Sequence, residues 1–162
     1  MICLNVGSHD IPMIGFINID IDPTMNPDLL WDATRLREKF QDDTIDFIYC
    51  GHFLEHFPIA VGAQIICDFY MILRPYGSIV AVIPDYTKTF QMPTADAERI
   101  ILGADEHKSL YDERRLLTMF SGAKFASWPI DVKDIPWCRF PQVIWQSAII
   151  GMKHPPVIFP RG

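Results

Sequence analysis

Residues 4–20 read Leu4-Asn5-Val6-Gly7-Ser8-His9-Asp10-Ile11-Pro12-Met13-Ile14-Gly15-Phe16-Ile17-Asn18-Ile19-Asp20. Two short apolar runs, Leu4–Val6 and Phe16–Ile19, read as strands, and each ends on a residue a nucleoside ligand can use, Gly7 and then Asp20. Only about nine residues separate them. A parallel crossover ordinarily takes a dozen or more residues, usually with a helix. If the two strands are parallel, the first helix must be replaced by a loop or a single turn.

The same pattern of a strand followed by a polar end recurs downstream. Leu30-Trp31-Asp32-Ala33, Ile45-Asp46-Phe47-Ile48-Tyr49-Cys50 and Ser78-Ile79-Val80-Ala81-Val82-Ile83-Pro84-Asp85 continue the series. The β-branched run of the last predicts a strand buried on both faces. Pro23 and Pro27 make 22–32 an extended connection. Between the fourth and fifth strands, Val61, Ile65, Phe69 and Ile72 fall at helical spacing, so Pro58–Leu73 is predicted helical, stopped by Arg74-Pro75-Tyr76-Gly77. Further helices are expected over Ala95–Leu102 and over Asp112–Ser121, the latter capped by Asp112 and ended by Gly122. Lys124–Trp128 and Trp145–Met152 read as a closing strand pair. The prediction is an α/β domain over 1–153 with a Rossmann-like, mostly parallel sheet, an antiparallel C-terminal edge and a tail over 154–162.

The 162 residues carry a formal charge of −6 and are 49% hydrophobic, enough for one substantial core. No concentrated basic surface is present to bind a nucleic-acid backbone, because Arg35, Arg37 and Lys39 alternate with other residues and Arg114-Arg115 stands alone. No apolar stretch approaches the roughly 18 residues of a membrane span, and the start shows no signal-peptide pattern. Cys3, Cys50, Cys67 and Cys138 show no CxxC spacing and read as reduced thiols. A cytoplasmic protein binding neither nucleic acid nor membrane is expected.

In an open parallel sheet, ligands bind outside the carboxyl ends of the strands, where strand order reverses. Gly7 permits a tight turn that can present backbone N–H groups. Asp20 can accept both hydroxyls of a ribose, with Asp22 as a competing acid; either also reads as a solvated turn residue. Asp32 can accept from an adenine amino group while Ala33 and Leu36 pack on the ring, and it also reads as a helix cap. His52-Phe53-Leu54-Glu55-His56 spells HxxEH, the inverted-zincin pattern, which needs a third ligand, and the later candidates Glu98, Glu106 and His107 have no strong metal spacing. A capping role for Glu55 and His56 is the plainer alternative, and no metal is assigned.

Taken in order, these segments resemble the class I S-adenosylmethionine-dependent methyltransferases, particularly small bacterial proteins of the methyltransferase type 11 group. Leu4–His9 matches the first cofactor motif, Gly15–Ile21 the second, and Asp32-Ala33 the adenine-side motif. His52–His56 matches a characteristic "LEH" turn, and Leu73-Arg74-Pro75-Tyr76-Gly77 the "L-K/R-P-G-G" before the fifth strand. The resemblance implies a seven-stranded sheet and S-adenosylmethionine as cofactor. Its site would comprise Asn5, Gly7, Ser8, His9, Asp20, Ile21, Asp32, Ala33 and Gly51. Two positions depart from the pattern: His9 stands where the family's second glycine falls and would compete for cofactor volume, and Tyr76 replaces a glycine.

Methyl transfer needs alignment, plus a base where the acceptor must lose a proton. His52, at the fourth strand end, and Asp85, past the fifth, are the catalytic candidates. The expected acceptor is a small metabolite, sugar or glycan precursor. A non-catalytic binding protein of the same fold is the alternative, and a zinc hydrolase built on His52, Glu55 and His56 the third reading. The aromatic content of 128–145, with Trp128, Trp137, Phe140 and Trp145, suggests a contact surface and a homodimer.

Overall fold

A computed structural model describes residues 1–89, 92–102, 107–138 and 145–155. Seven strands form one sheet: β1 (Cys3–Val6), β2 (Ile17–Asp20), β3 (Leu29–Leu30), β4 (Ile45–Gly51), β5 (Leu73–Pro84), β6 (Ala126–Ile130) and β7 (Gln146–Met152). Their order is β3-β2-β1-β4-β5-β7-β6, with β7 running opposite to the other six strands. The helices are α1 (Leu36–Lys39), α2 (Ile59–Ile72), α3 (Tyr86–Thr89), α4 (Thr94–Leu102) and α5 (Glu113–Gly122). This is the predicted α/β architecture, in which β1 feeds β2 on one side and β4 lies on the other.

The central strand β5 explains why its sequence carries so little polarity. Tyr49, Val80 and Ile150 stand in register across β4, β5 and β7, and Ile79 through Ile83 are all buried. Such a strand has no solvated face. It is longer than predicted, because α2 ends at Ile72 and Leu73 is already extended. The Arg74–Gly77 stop lies inside the strand as an irregularity opposite the Ile45–Phe47 register shift. Tyr76 takes φ +65° there, as the glycine of the usual motif would. Its amide donates to Lys153 O at 2.8 Å, which anchors the turn to the residue after β7.

No helix joins β1 to β2. Side-chain amides hold the crossover instead: Asn5 Nδ2 donates to Ile11 O (3.0 Å) and Asn18 Oδ1 (2.9 Å), and Met13 N donates to the same Asn18 oxygen (2.7 Å). Asn18 Nδ2 in turn donates to Asp28 Oδ2 at 2.7 Å, tying in the segment before β3. Asn5 and Asn18 are both buried, where unpaired amides would be costly. The third strand is two residues long, not the expected Leu30–Ala33, because Asp32 turns the chain into a helical turn over Ala33–Arg35 that leads into α1.

The two faces of the sheet are covered differently. Leu36 of α1, Ile65 and Phe69 of α2, and Leu116 and Phe120 of α5 pack with the sheet in one large core. On the other face Tyr49, Val80 and Val82 are covered by loop residues: Met13 of the β1–β2 crossover, and Val132, Ile135 and Cys138 from between β6 and β7. Phe16, Phe47 and Trp137 close that side in mutual edge and tilted contacts, with centroids 5.5–5.9 Å apart. The four cysteines are free thiols, with Cys3, Cys50 and Cys138 buried.

Asp85 ties the end of β5 to two other elements. One carboxylate oxygen accepts from Thr87 N (2.9 Å) and Thr87 Oγ1 (2.5 Å), the other from Ser147 Oγ (2.6 Å) on β7 and Glu113 N (3.2 Å) at the start of α5. Burial pushes its pKa up, but the Ser147 and Thr87 hydroxyls with the Thr87 and Glu113 amides outweigh that and hold it below the ordinary carboxylate value. A lowered folded-state pKa contributes stability above the unfolded value of about 3.9, and this is lost as the pH falls through the folded value. Asp85→Asn is therefore expected to cost about 1–3 kcal/mol at pH 7 in urea unfolding. The gap between wild type and variant should narrow as unfolding is repeated at progressively lower pH below about 4. A constant gap would mean that the charge contributes nothing.

Candidate functional site

Strand order reverses between β1 and β4, and a cleft of about 800 Å³ opens there. Successive strand ends build its walls: Gly7–His9 after β1, Asp20 and Ile21 at β2, Asp32–Thr34 after β3, and Gly51–Phe53 at β4. Asn5, Gly7, Ser8, His9, Asp20, Ile21, Asp32, Ala33, Gly51 and His52 thus converge on one cavity. Asp85 does not border it. Its four hydrogen bonds go to backbone and hydroxyl groups of the fold.

Gly7 takes φ +69°, and a Cβ there would sit 2.5 Å from Phe53 Cδ2. Both the backbone and the close approach of Phe53 demand glycine. The turn does not offer its amides to a ligand as the sequence suggested. Gly7 N and Ser8 N both donate to Ile19 O (2.9 and 3.0 Å), and His9 N donates to Asp20 Oδ2 at 2.8 Å. The turn is thereby latched to β2. Asn5 is likewise committed to the crossover network. His9 occupies the glycine-favoured region at φ +45°, with its side chain 59% exposed and Nδ1 2.8 Å from Asp10 Oδ1. It borders the cleft with its side chain partly exposed.

Asp20 has one oxygen on the His9 amide and the other on the Asp22 amide at 3.0 Å. A carboxylate oxygen has two lone pairs, so each can still accept from a ligand hydroxyl. Asp22 is not part of the cleft wall; it caps the turn over Pro23–Met25 through Thr24. Asp32 Oδ1 caps the next turn through Thr34 N (2.9 Å) and Oγ1 (2.8 Å), so capping and cleft lining coexist in one residue. Ile21, 70% exposed, forms an apolar shelf beside these acids, and Ala33 lies against the cleft as expected. Leu36 does not, being wholly buried in the core.

His52 adopts φ +52° at the end of β4. Its Nε2 lies 2.6 Å from Gln146 Oε1 and its Nδ1 3.4 Å from Glu55 Oε1, so both ring nitrogens face acceptors supplied by the protein. The inverted-zincin geometry is not formed. Leu54–His56 is a single tight helical turn, and His52 is directed to β7. Glu55 and His56 instead meet His107, with ligand atoms of all three within 4.8 Å of one another. Glu98 is not in that group, and Glu106 lies outside the described residues.

Sequence reasoning missed several wall residues: Tyr49, Phe53, Phe57, Lys108 and Trp137. Burial holds the Tyr49 phenol above its ordinary range, so it stays a neutral donor. Alternation along β4 could have revealed Tyr49, because Gly51 two residues on shares its face, and a Cβ on Gly51 would meet the Tyr49 hydroxyl at 2.5 Å. Lys108 and Trp137 arrive from distant loops, and no local pattern marks them.

No protein-family model matches the chain, and no curated protein matches it in sequence. Solved structures do match. A SAM-dependent methyltransferase from Archaeoglobus fulgidus superposes with a TM-score of 0.70 at 16% identity, covering 93% of this chain and 85% of that one. One from Methanosarcina mazei gives 0.66 at 15% identity over 94% and 92%. One from Thermotoga maritima gives 0.67 at 11% identity over 94% and 82%. The strand order, the cleft at its reversal and these superpositions together establish that this chain has the class I S-adenosylmethionine-dependent methyltransferase fold.

Proposed function

We propose that the protein transfers a methyl group from S-adenosylmethionine to a small-molecule acceptor, such as a sugar or glycan precursor. The observation that carries this reading is the pair of carboxylates, Asp20 and Asp32, set at successive strand ends around one cleft of about 800 Å³. The donor set fits the nucleoside half of the cofactor. Asp20 would receive the two ribose hydroxyls, and Asp32 the adenine amino group, with Ile21 and Ala33 against the ring. Lys108, the one permanent cation among the described cleft residues, would pair with the carboxylate of the methionyl part. When bound, the cofactor supplies an electrophilic methyl group whose transfer depends chiefly on alignment.

The chain's own contribution is then orientation and exclusion of water. Phe53, packed over Gly7, and Phe57 form the apolar wall beside the methionyl end. His52 borders the acceptor end, and its ring is fixed between Gln146 and Glu55. In this arrangement it positions the acceptor, and it takes a proton only if one of those contacts opens.

One observation favours a second reading, a binding protein of this fold without turnover: the Gly7, Ser8 and His9 amides are spent on β2, and both His52 nitrogens face protein acceptors. Calorimetric titration with S-adenosylhomocysteine separates ligand binding from its absence. Binding near the micromolar range is expected, weakened about tenfold or more in Asp20→Ala, since two charge-assisted hydrogen bonds are lost. Circular dichroism on the variant checks that the loop still folds. An unresponsive wild type would sink the methyl-transfer reading. Because its side chain is largely exposed and held by Asp10, His9→Gly should leave affinity within about twofold and raise stability by up to about 1 kcal/mol, by relieving a left-handed non-glycine residue. A large gain in affinity would instead show that His9 closes the cleft.

A further inference from the structure

We infer that Glu55, His56 and His107 form a binding site for a single divalent transition-metal ion in the wall of the cleft. The starting point is Glu55. Its side chain is 2% exposed, yet neither carboxylate oxygen has a hydrogen-bond partner. A buried carboxylate without hydrogen bonds is expensive, and the imidazoles of His52 and His107 stand 3.4 and 4.0 Å away, so it calls for a cation or a proton. The neighbouring Tyr111 hydroxyl is also buried and unpartnered. A pocket of about 10 Å³ adjoins them, bordered by Glu55, His107 and Tyr111, while His56 faces the larger cleft. That is room for about one water-sized body.

The surroundings hold these groups together. Lys108 N and Ser109 N donate to Glu55 O (2.8 and 3.1 Å), and Ser109 Oγ donates to Phe57 O (2.7 Å). Three hydrogen bonds thus strap the segment carrying His107 onto the turn carrying Glu55 and His56. The two imidazoles meet edge to face with centroids 5.0 Å apart. Ligand atoms of the three residues lie within 4.8 Å of one another. Tetrahedral ligation at about 2.0–2.1 Å would put them roughly 3.3 Å apart, so side-chain rotation of about an ångström closes the set.

One carboxylate and two imidazoles suit zinc and its first-row neighbours, and leave a coordination position open. His56 also lines the cleft, so an ion there would stand at its wall and could take an oxygen from a bound molecule. The competing explanation is electrostatic: Glu55 paired with a protonated His52 or His107, 3.4 and 4.0 Å away. The site does not depend on whether the cleft takes a cofactor.

The test uses the full chain stripped with EDTA, titrated calorimetrically with Zn²⁺ without cofactor, and loaded in parallel with Co²⁺ for visible spectroscopy. One Zn²⁺ per chain is expected, together with Co²⁺ ligand-field bands. Both should be lost, with affinity down on the order of 100-fold, in His56→Ala and His107→Ala, and unchanged in the exposed His154→Ala. A Zn²⁺-dependent rise in melting temperature should appear in wild type and vanish in Glu55→Gln. If Zn²⁺ neither binds nor shifts the melt while Glu55→Gln is more stable than wild type, Glu55 is merely an orphaned or histidine-paired carboxylate and the inference fails. Unit-stoichiometry binding that survives His107→Ala would place the ion elsewhere and overturn it equally.

Discussion

The hydrogen bond from Asn5 Nδ2 to Asn18 Oδ1, 2.9 Å long and buried, is the contact on which the site depends. It joins β1 to β2 through side chains, and with the bonds to Ile11, Met13 and Asp28 it does what a crossover helix does in a longer chain. A helix would bring its own backbone satisfaction and an apolar stripe to cover the sheet. Here two buried amides satisfy the loop, and Met13 and Phe16 supply the cover. Because β1 and β2 are held in that way, Gly7 and Asp20 end side by side and the cleft has a fixed corner. The same commitment turns the glycine loop's amides inward, toward Ile19 and Asp20.

Much of the architecture was legible because it depends on local chemistry. The β-branched run Ile79–Ile83 announced a strand buried on both faces, and Asp112 announced the start of α5; both are found so. The abbreviated crossover followed from counting residues between two strands. What could not be read was direction. Asp85 and Asp20 both follow apolar strands and look alike in sequence, yet one is consumed by Ser147, Thr87 and Glu113 while the other borders the cleft. The difference is made by β7 and α5, which arrive much later in the chain. For the same reason the HxxEH motif did not select among its later candidates: a tight turn, not a helix, carries it, and His107 comes from a loop with no spacing signal.

The cleft also shows how one fold separates binding from chemistry. Its nucleoside end is built from strand ends close in sequence, which a motif can encode. Its far end, with His52, His56, Lys108 and Trp137, is assembled from three parts of the chain. Fold likeness reaches the first end and says little about the second.

The placement of β5 between β4 and β7 also shapes how the chain is made. Its partner on one side precedes it, but its partner on the other, Ser147–Met152, lies near the opposite end of the chain. During synthesis the edge formed by Ile79–Ile83 therefore waits, unpaired and apolar, until more than 60 further residues have been added. Such an edge is a template for pairing with a neighbouring chain. The long-range closure by β7 makes folding slow relative to local helix formation. Solubility during expression should accordingly hinge on the arrival of β7, and a nascent chain stalled before it would present the bare edge of Ile79–Ile83 to its neighbours.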